Sequence, residues 1–204
     1  MIVSLLLAAS APATAVEAER AFAAMAQSQG QWTAFRAFAA EDGVMFLPQP
    51  VEVQTFLKDR KDPPVALKWG PARSWISCDG KTAYNTGPWS TPDGKAFGYF
   101  STLWQKQADG GWKWRVDHGD ALEKPLPETS EVDVRQASCK GAPKPNPAAL
   151  PAGQTQGNFL VSADRSLTVT WAAYADNSSR LVLQLWDGTR YTTAFESRIA
   201  PPKP

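Results

Sequence analysis

The single histidine of the chain, His118, is the side chain best suited to acid–base chemistry, because imidazole alone has an unperturbed pKa near neutrality. It ends the segment 112–118, whose period-two alternation predicts a strand with one shared face formed by Trp112, Trp114, Val116 and His118. Asp117 would then point to the opposite face, so a partner for the imidazole must come from another element. We predict Asp42 as this catalytic partner, with Tyr84 as the alternative.

A structural role for His118, with the ring hydrogen-bonded to a loop backbone, is the competing hypothesis. Other catalytic patterns are missing from the sequence, which has no Gly-x-Ser-x-Gly elbow and no Gly-rich phosphate loop. One histidine and two separated cysteines cannot supply the clustered ligands that zinc requires. We therefore predict neither a metal nor another cofactor.

Tryptophan is unusually frequent, with nine in 204 residues, and most of them lie in the first two thirds of the chain. Aromatic walls with a few polar groups are typical of a pocket for a small apolar molecule. As its ligand-contacting residues we predict Tyr84, Tyr99, Trp104 and Trp114. The alternative is that these rings only fill the core.

Charge excludes several classes of partner. Lysine and arginine number 21 against 20 aspartates and glutamates, for a net charge of +1, and like charges do not cluster. Such a balance gives no electrostatic footprint for nucleic acid or an anionic membrane. A content of 43% apolar residues is ordinary for a globular protein.

Asp-Gly dipeptides at 79–80, 93–94 and 109–110 divide the stretch 65–120 into four apolar-rich segments. This pattern predicts an antiparallel meander, because glycine accepts the positive φ of tight hairpin turns. The register of the last hairpin stays open. A three-residue loop at 109–111 places His118 beside Thr102, whereas a four-residue loop from Ala108 brings Ser101 and Leu103 to that face.

Upstream of the meander, apolar residues recur at helical spacing over 16–29 and 31–40, with Gly30 between the two segments. The run 44–47 then predicts a short strand, and 51–58 a short helix. These elements must position the candidate residues.

Four segments in this order carry a resemblance: Ala40-Glu41-Asp42-Gly43-Val44-Met45-Phe46, Tyr84-Asn85-Thr86-Gly87-Pro88-Trp89, Gly98-Tyr99-Phe100-Ser101-Thr102-Leu103-Trp104, and Asp109-Gly110-Gly111-Trp112-Lys113-Trp114 with Asp117-His118. Over about 16–122 the chain resembles the nuclear transport factor 2-like superfamily, which includes ketosteroid isomerase and SnoaL-like cyclases, and within it a branch of small bacterial domains of unknown function. The resemblance implies an α+β fold, with N-terminal helices packed in a curved antiparallel sheet around a conical apolar pocket. It also implies a histidine that faces the cone at the end of the final strand, and a homodimer through the outer face of the sheet.

The rest of the chain departs from that pattern. Residues 123–157 are rich in proline, which disfavours helices and central strands, and we predict a linker or surface wrap. Residues 158–200 alternate apolar and polar side chains between turn signals and predict a small C-terminal β-meander. So small a sheet should pack on the first domain.

Export is predicted from the N-terminus. Residues 1–15 fit a signal peptide, with an apolar run at 2–9 and a small-x-small site at Ala13-Thr14-Ala15, although Thr14 and Glu17 also fit a helix capping box. The apolar run is too short for a membrane span, so we predict no integral membrane segment. An exported chain with two cysteines favours a Cys78–Cys139 disulfide, the alternative being two unrelated buried thiols.

Three functional hypotheses follow for a periplasmic or secreted protein. The first is a module that binds a small apolar ligand in the aromatic pocket. The second is a lyase or isomerase of the ketosteroid isomerase or SnoaL-like type that uses His118. The third is a structural or interaction protein whose own side chains fill the cone.

Overall fold

The chain is described from residue 12 to residue 201 by a computed structural model, and the predicted apolar run at 2–9 lies outside these residues. Its first helix, α1 (Ala15–Gln29), starts at a reciprocal capping box in which Thr14 and Glu17 satisfy each other's backbone N–H groups. The second, α2 (Gln31–Phe38), follows directly after Gly30, which adopts a φ of +108° that glycine tolerates best. A short helix, α3 (Val53–Leu57), comes later.

The larger sheet has eight strands, which are β1 (Ala39–Leu47), β2 (Gln49–Glu52), β3 (Lys68–Trp69), β4 (Arg73–Ile76), β5 (Thr82–Ser90), β6 (Phe97–Lys106), β7 (Trp112–Ala121) and β8 (Asp133–Gln136). Their order is β2-β1-β7-β6-β5-β4-β8, with β3 beside β5. The predicted meander forms β4 to β7. The β1–β7 and β4–β8 pairs are parallel, so the sheet is mixed rather than purely antiparallel as predicted.

The smaller sheet is a four-stranded antiparallel meander formed by β9 (Gln154–Val161), β10 (Leu167–Tyr174), β11 (Ser179–Trp186) and β12 (Tyr191–Ile199). It packs face to face on the larger sheet, as expected for a sheet too small to bury its own apolar face. Two hydrophobic cores result. The inner core joins the helices to one face of the larger sheet, and the outer core joins the opposite face to the smaller sheet.

The proline-rich stretch is more structured than the predicted linker. It contains β8, and β9 begins four residues before the predicted start of the C-terminal meander. Between these strands the chain runs along the smaller sheet, where Trp186 Nε1 donates to the Lys140 carbonyl at 2.6 Å and the Tyr174 hydroxyl donates to the Pro151 carbonyl at 3.2 Å. The predicted disulfide is present, and it joins Cys78 beside β4 to Cys139 at the start of this stretch.

The outer face of the larger sheet, through which the resemblance implies a homodimer, is covered by the chain's own smaller sheet. Trp75, Tyr84 and Leu103 are buried there against Val169 and Leu183. A second copy could not use this face without displacing strands β9 to β12. Among the described helices, none has the length and apolar character needed to span a membrane.

Candidate functional site

A cavity of about 280 Å³ opens at the end of the inner core, between the helices and the ends of β6 and β7. Its walls are mainly aromatic and apolar and include Phe22, Trp32, Phe35, Met45, Trp69, Trp89 and Phe100. The lining residues with polar side chains include Gln31, Tyr99, Asp117, His118 and Asp120. The pattern of apolar walls with a few polar groups is typical of a small-molecule site.

A β-bulge in β7 decides which side chains face this cavity. Trp104 lies opposite Trp114, but one residue further along β6 Leu103 lies opposite Val116, so Arg115 is an extra residue in the ladder. Such an insertion reverses the facing of all residues beyond it. Trp112 and Trp114 therefore belong to the inner core, whereas Val116 packs in the outer core.

Neither predicted register holds along the whole hairpin. Near the turn Lys106 pairs with Trp112, and Gln107 N–H donates to the Gly111 carbonyl across a three-residue loop of residues 108–110. Beyond the bulge His118 pairs with Ser101, as in the four-residue alternative.

His118 borders the cavity, but its ring points away from the cone towards the smaller sheet, and the prediction that it shares a face with Trp112 and Trp114 is wrong. Its ring is 1% exposed and lies between the sheets, with Nε2 at 2.9 Å from Ser179 Oγ and Nδ1 at 3.1 Å from Ser197 Oγ. Phe46 packs edge-on against it, with ring centroids 4.7 Å apart. Burial lowers the pKa of His118 to about 4, so the imidazole is neutral at physiological pH.

Asp42 does not accompany His118. Its side chain is 64% exposed and forms a salt bridge with Arg115, the bulged residue, on the solvent side. Nor does Tyr84 partner the histidine in any described hydrogen bond, since Ser179 and Ser197 occupy both ring nitrogens. The predicted pairing relied on the continuous alternation that the bulge interrupts.

The bulge in β7 turns the side chain of Asp117, rather than that of His118, into the cone. Asp117 lines the cavity, keeps some accessible surface there, and accepts a 3.1 Å hydrogen bond from the Thr102 hydroxyl. Burial raises the pKa of Asp117 to about 7, although the Thr102 hydrogen bond opposes this rise. A carboxyl in this state can hold or release a proton near neutral pH.

The four predicted ligand-contacting residues divide between the two cores. Trp104 and Trp114 lie in the inner core but are fully buried and do not line the cavity. Tyr84 is fully buried in the outer core. Tyr99 borders the cavity, but its hydroxyl reaches the smaller sheet, where it lies 2.5 Å from Ser197 Oγ.

Glu19 on α1 is a buried carboxyl that sequence inspection did not single out. Its Oε1 accepts a hydrogen bond from Trp69 Nε1 at 3.0 Å, and its Oε2 accepts one from Trp104 Nε1 at 2.6 Å. Burial raises the pKa of Glu19 to about 8, and the nearby Asp117 adds to this rise, while the indole hydrogen bonds oppose it. A sequence signal existed, since position 19 falls within the helical stripe formed by Ala15, Ala18, Phe22 and Ala26.

The carboxylates do not form a metal centre. Across residues 12–201, no group of three His, Cys, Asp or Glu side chains comes close enough together to share an ion.

In the N-terminal unit, three helices pack against one face of a mixed sheet, with a cavity at the open end. This is the arrangement that the resemblance to the nuclear transport factor 2-like superfamily implies. Among solved structures, the chain is similar to a putative ketosteroid isomerase from Parabacteroides distasonis (15% identity, 54% of this chain and 89% of that one, TM-score 0.43). It is also similar to an NTF-2-like protein of unknown function from Shewanella oneidensis (18% identity, 50% of this chain and 93% of that one, TM-score 0.40). A third similar structure is a DUF3225 protein of unknown function from Pectobacterium atrosepticum (13% identity, 51% and 87%, TM-score 0.38). No protein-family model and no curated protein sequence matches the chain.

Proposed function

We propose that this protein is an exported module that binds a small, mainly apolar molecule in the cone. The observation that carries the proposal is the cavity of about 280 Å³, whose walls are formed mainly by aromatic and aliphatic side chains. Apolar walls of this kind favour binding by removing ligand surface from water. The Cys78–Cys139 disulfide supports a periplasmic or secreted location, because disulfides persist in oxidising compartments.

Binding can be tested with the uncharged dye N-phenyl-1-naphthylamine, whose fluorescence rises in apolar surroundings. Ala121 is exposed at the rim of the cavity, so Ala121→Trp should narrow the entrance without disturbing the core. We expect the wild type to bind one dye molecule and Ala121→Trp to bind it at least about tenfold more weakly. Val134→Trp, at an exposed position on β8 away from the cavity, is the matched control. Equal dye binding by all three proteins would refute the proposal.

A second candidate function is proton transfer on a small carbonyl compound, with Asp117 in the role that sequence analysis gave to His118. It is favoured by one observation, a cavity-lining carboxyl whose pKa burial raises to about 7. Exchange of α-carbon hydrogen for deuterium in small ketones, followed by NMR, tests this activity. Turnover that disappears in Asp117→Asn but persists in His118→Gln would support it, and exchange no faster than in buffer would exclude it for those ketones.

A further inference from the structure

We infer that the preferred occupant of the cavity is an amphipathic amine, with an apolar body against the aromatic walls and a protonated amino group paired with Asp117. This inference rests on the proposed binding function and narrows its ligand class.

The first argument is the charge of the lining. Seventeen residues line the cavity, and none of them is lysine or arginine. Asp117 faces the cavity, whereas His118 turns a neutral imidazole towards the smaller sheet and Asp120 shares the strand face of His118. An anionic head group would meet a carboxylate with no cation to compensate it, which is costly in a partly desolvated site. A cationic head group instead supplies the missing opposite charge.

The second argument is the surroundings of Asp117 itself. Thr102 is the hydrogen-bond donor that the described residues provide to this carboxyl, and none of their salt bridges includes it. The titratable groups that interact with it, Glu19 on α1 and the Tyr84 phenol on β5, are acids. Its chain neighbour His118 holds a neutral imidazole on the opposite face of the strand. A desolvated carboxyl in an acidic neighbourhood gains more from a bound cation than from a neutral molecule.

The third argument is the type of aromatic ring in the walls. Trp32, Trp69 and Trp89 all line the cavity, and indole is the side chain that attracts a cation over its face most strongly. The same rings accept an apolar body through area burial. One site therefore offers both contacts that an amphipathic amine needs.

The test uses three ligands with one shared apolar body: 4-phenylbutylamine, 4-phenylbutan-1-ol and 4-phenylbutyrate. Isothermal titration calorimetry of the full chain at pH 8 should show the amine binding about tenfold more tightly than the alcohol, with the acid weakest. A tenfold difference corresponds to about 1.4 kcal/mol. In Asp117→Asn, we expect the amine to fall to the affinity of the alcohol while the alcohol is unchanged. Asp59→Asn, which removes an exposed carboxylate outside the cavity, should keep the wild-type ratio.

The ratio of amine to alcohol affinity in the wild type should also rise between pH 6 and pH 8.5, as Asp117 ionises. This measurement needs no variant and keeps the inference testable if Asp117→Asn folds poorly. Binding of the acid as tightly as the amine, or an amine preference that survives in Asp117→Asn, would overturn the inference and leave the binding function intact. Failure of all three ligands and of the uncharged dye to bind would overturn both.

Discussion

Trp114 and Val116 lie two residues apart on β7, yet their side chains point to opposite faces of the sheet. Trp114 is fully buried among the helices, and Val116 is 1% exposed against the smaller sheet. The bulge at Arg115 causes this reversal, and it brings Asp117 into the cone while it sends His118 into the interface between the sheets. The chemistry available to the cavity is therefore that of a carboxyl rather than an imidazole.

His118 is expected to stabilise the fold and to be dispensable for ligand binding. In His118→Gln, the Ser197 hydroxyl keeps Tyr99 as a partner, but the Ser179 hydroxyl loses the imidazole in a buried interface, at a cost of about 1 to 3 kcal/mol in the free energy of unfolding. Dye affinity at the cavity should be unchanged. Urea denaturation and dye titration of both proteins measure these quantities, and an undiminished stability with lost dye binding would contradict the assignment.

The same residue predicts an acid-dependent loss of stability. Its pKa is lowered in the folded protein to about 4, so between that value and about 6.5 the unfolded chain binds a proton that the folded chain does not. The contribution of His118 to stability is thus complete above about pH 6.5 and is lost as the pH falls towards 4. The free energy of unfolding of His118→Gln should therefore fall less than that of the wild type between about pH 6.5 and pH 4.

Glu19 predicts the opposite pH dependence. Its pKa is raised in the folded protein to about 8 from 4.5, so stability should decrease as the pH rises through this interval. Glu19→Gln removes this titration. We therefore expect the free energy of unfolding of Glu19→Gln to rise relative to that of the wild type from pH 5 to pH 9. Glu19→Ala also removes the titration, but it leaves a cavity and two unpaired indole N–H groups, so we expect it to be less stable than Glu19→Gln by about 3 kcal/mol at every pH. Parallel urea curves at pH 5, 7 and 9 distinguish these outcomes.

For the exported protein that we propose, the mature N-terminus is expected at Thr14, two residues before the Val16 that cleavage after Ala13-Thr14-Ala15 would give. Cleavage after Ala15 would remove the helix cap and Ala15 itself, which is 3% exposed and whose carbonyl accepts a 2.9 Å hydrogen bond from Asn85 Nδ2. Ala11-Pro12-Ala13 is a second small-x-small pattern, and cleavage after it keeps Thr14. The intact mass of exported protein gives the position, and a mass that begins at Val16 would contradict this expectation.

A comparison of purified chains that begin at Thr14 and at Val16 supports the same point independently of export. Loss of the cap alone should cost about 1 kcal/mol, and loss of the Asn85 hydrogen bond should add to it. Equal melting temperatures would show that residues 14 and 15 are not needed by the fold.

Removal of the smaller sheet is expected to expose the outer core. A chain that ends at Leu122, with Cys78→Ser to avoid a free thiol, leaves Trp75, Tyr84 and Leu103 without the strands that cover them. Exposure of so large an apolar face favours association or loss of cooperative unfolding. Light scattering and melting curves against full-length Cys78→Ser/Cys139→Ser measure this, and a monomer with an unchanged melting temperature would mean that the two sheets are independent.

The sequence by itself determined the local features of this protein. The Thr14 capping box, Gly30 between the first two helices and the Asp-Gly turns are set by interactions within a few residues, so their composition predicts them. The element order of the N-terminal unit, the C-terminal meander and the Cys78–Cys139 pairing were predictable in the same way, from periodic segments and an even cysteine count.

The tertiary structure alone decided which residues reach the cavity. One extra residue in β7 exchanges the two faces of the strand, and no local signal marks it, because Arg115 fits the alternation of its segment. Glu19 is buried for a similar reason, since its carboxyl is compensated by indoles 50 and 85 positions away in the chain. The face on which a side chain lies, and how deeply it is buried, depend on pairing between distant strands and on the helix packed against them. Strand pairing and helix packing are properties of the assembled fold rather than of any one segment.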